Sequence, residues 1–209
     1  MTPRGALERG AEELGIALPG ETRERLMAYI SLLVKWNASY NLTAVREPAA
    51  MVGHHLLDSL AVLPHLPLEE AGDARVADVG SGAGLPGIPL ALARPRWRVA
   101  LVEASQKKAA FLRQAKIELG LDNVEVHETR VENLRPVKRF ALVISRAFSD
   151  LGEFVSSCAH LLDAGGWFAA MKGRYPEAEL TALRDARVVT LRVPFLEAER
   201  HLVLCERAA

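Results

Sequence analysis

The segment from Val76 to Leu90 constrains the fold of this chain more than any other stretch. It reads Val-Ala-Asp-Val-Gly-Ser-Gly-Ala-Gly-Leu-Pro-Gly-Ile-Pro-Leu, a short apolar run followed by three alternating glycines. Glycines at such a turn let the backbone adopt positive φ angles and approach a ligand that a Cβ atom would repel. Pro86 suits the first turn of a helix, where the backbone N–H has no intrahelical partner. The segment therefore predicts a strand, a tight turn and a helix N-terminus, with a nucleotide-like cofactor at the carboxyl end of the first strand of a parallel sheet.

Segments of strand and helix length alternate from Ala74 to the end of the chain. The predicted strands span 75–79, 98–103, 124–127, 140–145, 167–172, 188–193 and 201–206. The predicted helices span 86–93, 106–119, 150–162 and 177–184. This alternation indicates an α/β fold with right-handed crossovers and a mostly parallel seven-stranded sheet covered on both faces. Because no helix-length segment separates the last two strands, we expect them to form an antiparallel hairpin at one edge.

The first seventy residues form a helical extension to this sheet. Helices are predicted at 11–18, 21–36 and 48–63, and residues 37–41 are predicted to be a break. In the second helix Leu26, Tyr29, Leu33 and Trp36 recur at helical steps and share one face. The stretch from 64 to 73, rich in proline, glycine and acidic residues, is the best boundary, so we divide the chain into 1–70 and 71–209.

Composition excludes several classes of protein. The apolar runs are too short and too often interrupted for a membrane span, and the charged first twenty residues do not form a secretory signal. The two cysteines, Cys158 and Cys205, have no metal-ligand spacing, which favours a reduced cytoplasmic protein. The net charge is zero, so any contact with RNA must come from a local basic patch.

Two cofactors fit the glycines. Gly82-Ala-Gly84-Leu-Pro-Gly87 matches the dinucleotide fingerprint, and Glu103 stands where an acid binds a ribose diol. Both features also suit S-adenosylmethionine, whose adenosine half is chemically the same. Three observations favour methyl transfer. The motif is better described as Asp78-x-Gly80-x-Gly82-x-Gly84, with an acid at the end of the strand. The sheet is predicted to end in an antiparallel hairpin, and no tyrosine is followed by lysine four residues on, a pair that would indicate hydride transfer.

Six motifs in order make the chain resemble one family. They are Lys35-Trp-Asn-x-x-Tyr-Asn-Leu-Thr43, His55-Leu-Leu-Asp-Ser59, the glycine segment from Asp78, Ser145-Arg-Ala-Phe148, Met171-Lys-Gly173 and Glu199-Arg-His-Leu-Val203. The chain resembles the glucose-inhibited division protein B family of bacterial small-subunit ribosomal RNA guanine-N7 methyltransferases from about residue 22 to 206. The resemblance implies a class I S-adenosylmethionine-dependent methyltransferase fold. One departure is His54, where the family often has Arg or Lys, and it weakens a phosphate contact at that position.

The expected cofactor residues follow from this resemblance and from the residue types. Gly80, Gly82 and Gly84 would line the methionine and adenosine parts, and Glu103 would accept hydrogen bonds from the ribose hydroxyls. Asp78 would orient the glycine loop or face the cationic end of the cofactor. The resemblance adds Leu85 beside the cofactor, and Val131 and Glu132 around adenine.

Arg146 is the expected catalytic residue, because it ends the fourth strand at the switch point beside the first strand. Its guanidinium would hold the cofactor carboxylate or an RNA phosphate through two parallel hydrogen bonds. The residues expected to contact or position RNA are His55, Lys172, Arg200 and His201. Each also has a structural alternative: Arg146 a surface salt bridge, Lys172 a solvated strand end, and His55 a hydrogen-bonded core histidine. No metal site is expected, since adjacent histidines on a helix diverge.

The motifs that are missing agree with this chemistry. The fourth strand lacks the Asp/Asn-Pro-Pro-Tyr sequence that receives an exocyclic amine, and neither cysteine is placed to attack a pyrimidine. Guanine N7 has a free lone pair, so its methylation needs no general base. The resemblance implies that the methyl acceptor is a guanine N7 of small-subunit ribosomal RNA, free or in an assembling 30S particle. We expect a monomeric cytoplasmic enzyme that uses S-adenosylmethionine as the methyl donor. The N-terminal helices would recognise RNA or cover the cofactor. A small-molecule methyltransferase and a non-catalytic RNA-binding module remain as alternatives.

Overall fold

The computed structural model describes residues 1–69, 72–146, 148, 150–181, 183 and 185–207. Its centre is one seven-stranded sheet with the strand order β3-β2-β1-β4-β5-β7-β6. The strands are β1 Arg75–Val79, β2 Arg98–Glu103, β3 Val124–Glu128, β4 Phe140–Ser145, β5 Leu162–Lys172, β6 Arg187–Thr190 and β7 His201–Glu206. The first five strands pair in parallel, whereas β7 runs antiparallel to both β5 and β6. The predicted mostly parallel sheet with an antiparallel C-terminal pair is confirmed.

Helices cover the sheet and form the N-terminal segment. They are α1 Pro3–Glu13, α2 Gly20–Tyr40, α3 Pro48–Met51, α4 Asp58–Leu60, α5 Gly87–Ala93, α6 Gln106–Glu118, α7 Leu151–Cys158 and α8 Glu177–Leu180. A π-helical segment, Val52–Leu57, joins α3 to α4. Short 3₁₀ turns follow at Leu63–His65, Val131–Asn133 and Ala159–Leu161.

Several predicted boundaries differ from the observed ones. The helix expected at 11–18 runs from Pro3 to Glu13, and Gly15 with a φ of 69° follows its end. The break expected at 37–41 is absent, since α2 continues to Tyr40 and ends only where Asn41 adopts a left-handed φ of 49°. Strand β5 begins at Leu162, five residues early, through an irregular register opposite β4. Helix α8 is short, and its predicted end, Arg184, lies outside the described residues.

The N-terminal helices share a hydrophobic core with the sheet. One buried cluster contains Leu26 and Leu33 from α2 together with Leu101 from β2 and Phe111 from α6. A second cluster fills the other face of the sheet around Phe140, Phe154 and Phe168. The proposed boundary at 70 and 71 lies outside the described residues. Continuous packing across both segments places α2 directly beside the glycine turn.

Candidate functional site

The glycine turn connects β1 to α5 at the carboxyl edge of the sheet. The N–H groups of Gly80 and Ser81 donate to the carbonyl of Val102, which fixes the start of the turn against β2. Gly82 and Gly84 have φ angles of 58° and 84°. A Cβ atom at Gly84 would also lie 2.4 Å from Cδ1 of Ile88, whereas a Cβ atom at Gly82 would meet only the Gly80 carbonyl oxygen at 3.8 Å. The turn therefore requires glycine at 84 for space and conformation, and at 82 for conformation alone.

Glu103 ties the glycine turn to the next helix. Its Oε2 accepts a hydrogen bond from the N–H of Gly82 at 2.8 Å, and its Oε1 accepts one from the N–H of Ser105 at 2.8 Å. The residue is buried at the end of β2. Each carboxylate oxygen can accept a second hydrogen bond. The carboxylate is thus held in place by backbone donors and keeps acceptor capacity for a ligand with hydroxyl groups.

Asp78 lies fully buried beneath the turn. Its Oδ2 accepts a hydrogen bond from the N–H of Gly87 at 2.9 Å, while Oδ1 has no hydrogen-bond partner among the described residues. Burial raises the pKa of Asp78 to about 7, and the Gly87 N–H and the charge of Arg146 oppose this rise. A buried oxygen without a donor is costly. Oδ1 therefore suits a ligand or water that brings a donor or a positive charge.

A cavity of about 240 Å³ opens beside Glu103. Val79, Val102, Val131 and Phe148 supply apolar surface, and its other lining residues are Gly80, Glu103, Ala104, Thr129, Arg130 and Glu132. The predicted residues Val131 and Glu132 thus lie on the same cavity as Glu103. The Leu85 side chain is instead buried in the core, so only its backbone can face a ligand.

These features fit the adenosyl half of S-adenosylmethionine. Glu103 would accept the ribose hydroxyls, and the apolar walls would hold adenine. Asp78 is fully buried and does not line this cavity, so it would act by orienting the glycine turn. A sulfonium centre supplies an activated methyl group when the cofactor is bound.

A second pocket, of about 300 Å³, contains two arginines that share one acid. It is lined by Val45, His54, His55, Asp58, Arg146, Met171, Lys172, Gly173 and Arg200, and we call it the arginine pocket. Oδ1 of Asp58 accepts from Nε of Arg200 at 2.9 Å, and Oδ2 accepts from Nη1 of Arg146 at 3.2 Å. The Asp58 side chain is only 2% exposed, whereas those of Arg146 and Arg200 are 31% and 22% exposed. A buried carboxylate thus holds two guanidinium groups together, each with an edge open to the pocket.

Lys172 is engaged by the protein itself. Its Nζ lies 2.7 Å from Oε2 of Glu179 and donates to the carbonyl of Phe148 at 3.2 Å. In the sheet it pairs with His201, which is buried and meets the ring of Tyr175 edge-on at a centroid distance of 5.5 Å. The register of β5 and β7 therefore places Lys172, Arg200 and His201 at one end of the sheet, near Arg146.

His55 lies at the back of the arginine pocket. The residue is buried, and its Nε2 is 2.9 Å from the hydroxyl of Thr43. The N–H of Val45 donates to that hydroxyl, and the N–H of Thr43 donates to the side chain of Asn37. Burial is the main cause that lowers the pKa of His55 to about 4, and Arg146 acts in the same direction. The imidazole is therefore neutral near pH 7 and fixes the segment that follows α2.

Two functional positions escaped the sequence analysis. The sequence analysis gave Asp58 only as a member of a motif. The neighbouring residues do not indicate that it pairs with two arginines that lie 88 and 142 residues away in the chain. Tyr29 was assigned to a helix face, but its buried hydroxyl donates to the carbonyl of Ala83 inside the glycine turn at 2.7 Å. Burial raises the pKa of Tyr29, so this phenol stays protonated. A tyrosine among aliphatic residues on a core-facing helix was the only available signal.

Two features are absent from the described residues. Among the described residues, no group of three or more His, Cys, Asp or Glu side chains is placed to hold a metal ion. No helix in the part of the chain that the structure describes has the length and apolar character needed to cross a membrane.

Comparison with known sequences points to one family. The family model described as rRNA small subunit methyltransferase G matches residues 22–203. A protein named ribosomal RNA small subunit methyltransferase G from Nitrosospira multiformis is 52% identical, with 100% of this chain and 99% of the relative covered. A relative of the same name from Aromatoleum aromaticum is 55% identical, with 96% and 97% covered.

Comparison with solved structures identifies the fold. A predicted O-methyltransferase from Agrobacterium tumefaciens superposes with a TM-score of 0.57 at 24% identity, covering 74% of this chain and 80% of its own. A SAM-dependent methyltransferase from Aquifex aeolicus gives a TM-score of 0.55 at 21% identity, covering 78% and 94%. Together with the strand order, these similarities confirm the predicted class I methyltransferase fold.

Proposed function

Because this chain belongs to the rRNA small subunit methyltransferase G family, we propose that it transfers a methyl group from S-adenosylmethionine to N7 of a guanine in small-subunit ribosomal RNA. The proposal rests on one observation: a cofactor-like cavity and a pocket with two arginines both lie at the carboxyl edge of the sheet, in a chain that covers 99% of its Nitrosospira relative. Val79 at the end of β1 lines the first cavity, and Arg146 directly after β4 lines the arginine pocket. The two strands pair, and the hydroxyl of Ser145 donates to the carbonyl of Val79 at 2.7 Å.

The geometry suits a reaction that requires positioning rather than proton transfer. Guanine N7 is unprotonated and nucleophilic, so no side chain has to remove a proton. His55 is neutral and buried, and the charged groups of the arginine pocket are engaged with one another. Correct alignment of two reacting groups supplies roughly 7–11 kcal/mol of a barrier. The described residues thus supply orientation and charge, which this reaction needs.

Arg146 and Arg200 are the groups that would bind an anion. Each donates to Asp58 and retains an edge open to the pocket. A guanidinium forms two parallel hydrogen bonds with a carboxylate or a phosphate. The charge of Arg146 also lowers the pKa of Asp78, so its guanidinium acts electrostatically on the acid beneath the glycine turn. In this position it would hold the cofactor carboxylate or an RNA phosphate beside the methyl donor.

The substrate guanine must be presented outside a regular helix. In A-form RNA the N7 edge lies in a deep, narrow groove that side chains do not read. The target would therefore come from a loop or be turned out of its stack, at a cost of a few kcal/mol that is smallest for an unpaired base.

The proposal is tested by a methyl-transfer assay. Labelled S-adenosylmethionine is supplied with small-subunit RNA, or with 30S particles, from a strain that lacks this protein, and the product nucleosides are analysed. Seven-methylguanosine at one site is expected. Cofactor binding without transfer to RNA or particles would instead favour a small-molecule substrate, and label in another nucleoside would refute N7 as the acceptor.

A further inference from the structure

The last turn of α2 carries a stacked aromatic pair, of which one ring is exposed. The rings of Trp36 and Tyr40 stack with a centroid distance of 5.0 Å and an interplanar angle of 28°. Tyr40 is 43% exposed. Trp36 in turn meets the ring of the buried Phe111 edge-on at 5.7 Å. One face of Tyr40 is therefore supported by an indole that is anchored in the core, while much of the ring remains open to solvent.

The contacts between α2 and α6 show what lies beside this pair. Near the start of α2, Arg25 donates to the carbonyls of Leu119 and Gly120 after the end of α6. Near the end of α2, Trp36 meets Phe111, so the two helices run antiparallel. The first turn of α6, which contains Lys107 and Lys108, therefore lies toward the end of α2 that carries Tyr40.

The lysines near Tyr40 are available to bind an anion. Lys107 is exposed and Lys108 is half-buried, and Lys35 is exposed next to Trp36. Within the ranges that the structure describes, none of the three forms an ion pair. In the arginine pocket, by contrast, Arg146 and Arg200 are already held by Asp58. An exposed ring among unpaired cations has the composition of a single-stranded nucleic-acid platform, in which aromatic rings stack on bases and cations follow the backbone.

Short stretches of chain connect the platform to residues of both pockets. Helix α6 begins three residues after Glu103, whose carboxylate accepts from the N–H of Ser105. On the other side, Tyr40 is followed by Thr43, which bonds His55, and by Val45, which lines the arginine pocket. Five residues span at most about 18 Å. Tyr40 therefore lies within about 18 Å of a residue that lines the arginine pocket.

We propose that Tyr40, supported by Trp36 and flanked by Lys107 and Lys108, stacks on a base of the single-stranded RNA that neighbours the target guanine. This inference rests on the proposed function and adds to it a residue that binds the RNA without contacting the cofactor. A base adjacent to a displaced nucleotide has itself lost a stacking partner, and an aromatic ring replaces that partner whatever the base is.

The inference is tested with Tyr40→Ala and Tyr40→Phe, and with Ile117→Ala as the control. Ile117 is an exposed apolar residue near the other end of α6. Methylation of small-subunit RNA from a strain that lacks this protein, and binding of S-adenosylmethionine, are measured for each variant. Tyr40→Ala is expected to raise the KM for RNA about 5- to 150-fold, as expected for loss of one stacked base, with unchanged cofactor affinity. Tyr40→Phe, which keeps the ring, is expected to have a KM for RNA near the wild-type value. Ile117→Ala is expected to leave that KM unchanged.

A second measurement addresses the lysines. Each phosphate contact on a single strand contributes a slope of about −0.7 to the dependence of log K on log salt. Replacing Lys107 and Lys108 by glutamine is therefore expected to reduce the magnitude of the slope for RNA binding by about 1.4. A normal KM for Tyr40→Ala in an active enzyme would overturn the stacking role alone. A Tyr40→Ala protein that also loses cofactor affinity would identify a structural ring, and a wild-type protein without RNA methylation would refute both proposals.

Discussion

The glycine side of the site and the arginine pocket are built in opposite ways. On the glycine side one short segment supplies most of the contacts, and backbone N–H groups do the binding, as where Gly82 and Ser105 donate to Glu103. In the arginine pocket the contacts are between side chains, and Asp58, Arg146 and Arg200 come from three distant parts of the chain. The first half needs particular backbone conformations, whereas the second needs particular charges.

This difference has a consequence for how each half tolerates change. A backbone site fails when a side chain disturbs its conformation, since no substitution other than proline removes the N–H donors themselves. A site made of charges fails when one charge is removed, because the others are then left without their partner. Asp58 is the extreme case, as it is nearly fully buried and serves two arginines.

The largest effect is expected from Arg146→Ala. A guanidinium that pairs with a charged group of the cofactor or RNA in the complex contributes about 2–5 kcal/mol, so we expect kcat/KM for RNA methylation to fall at least about 30-fold. The thermal stability of the ligand-free protein should change little, because Asp58 keeps Arg200 as a partner. Arg146→Lys, which restores the charge without the planar fork, should recover only part of the activity. Normal turnover with a large loss of stability would show that Arg146 is a structural salt bridge.

The glycine side is tested by comparing Gly84→Ala with Gly82→Ala. Both changes force a non-glycine residue into a left-handed conformation, which costs about 1–2 kcal/mol. At Gly84 the new Cβ also meets Ile88, and such overpacking adds about 1–3 kcal/mol. Calorimetry should therefore find weaker cofactor binding and lower apo stability in both variants, with the larger loss in Gly84→Ala. Equal losses would show that conformation alone, and not space, demands glycine at 84.

The same difference explains what the sequence allowed us to predict. The sheet, its antiparallel end and the glycine turn are encoded locally, by strand-length runs and by glycines that mark positive φ angles. The predicted positions of Arg146 and Lys172 followed from the rule that strands of a parallel sheet end at one edge. Asp58 could not be assigned a role in this way, because its partners depend on how the helical segment packs on the sheet. The end of α2 was mistaken for a break because Asn37, Ser39 and Asn41 favour turns, yet the stacking of Trp36 and Tyr40 keeps the last turn helical.

The two halves should also respond to pH with opposite signs. Asp78 has its pKa raised from 3.8 to about 7 in the fold, so its favourable contribution is complete below pH 3.8 and is lost as the pH rises through 7. His55 has its pKa lowered from 6.5 to about 4, so its contribution is complete above pH 6.5 and is lost as the pH falls through 4. Between pH 4 and 6.5 the two contributions oppose each other, each with a slope approaching about 1.4 kcal/mol per pH unit.

Denaturant unfolding of the ligand-free protein from pH 4 to 7 measures this balance. Relative to wild type, Asp78→Asn should make stability rise more steeply with pH, because the contribution of His55 is no longer opposed. His55→Gln, which retains a hydrogen-bonding group for Thr43, should make stability fall with pH. The double variant should return to the wild-type slope. Parallel pH profiles for both single variants would contradict the assignment of opposite signs.

The smallest effect concerns the bond that joins the N-terminal helices to the glycine side. In Tyr29→Phe the carbonyl of Ala83 loses its buried donor, at a cost of about 1–3 kcal/mol. The ring still packs against Phe111, so no cavity is created. If the helices hold the turn in its binding conformation, part of this cost should appear as a few-fold weaker affinity for S-adenosylmethionine, beyond the fall in apo stability. A stability loss with unchanged affinity would show that the glycine turn keeps its conformation without the bond from α2. The turn would then depend less on the N-terminal helices than their shared core suggests.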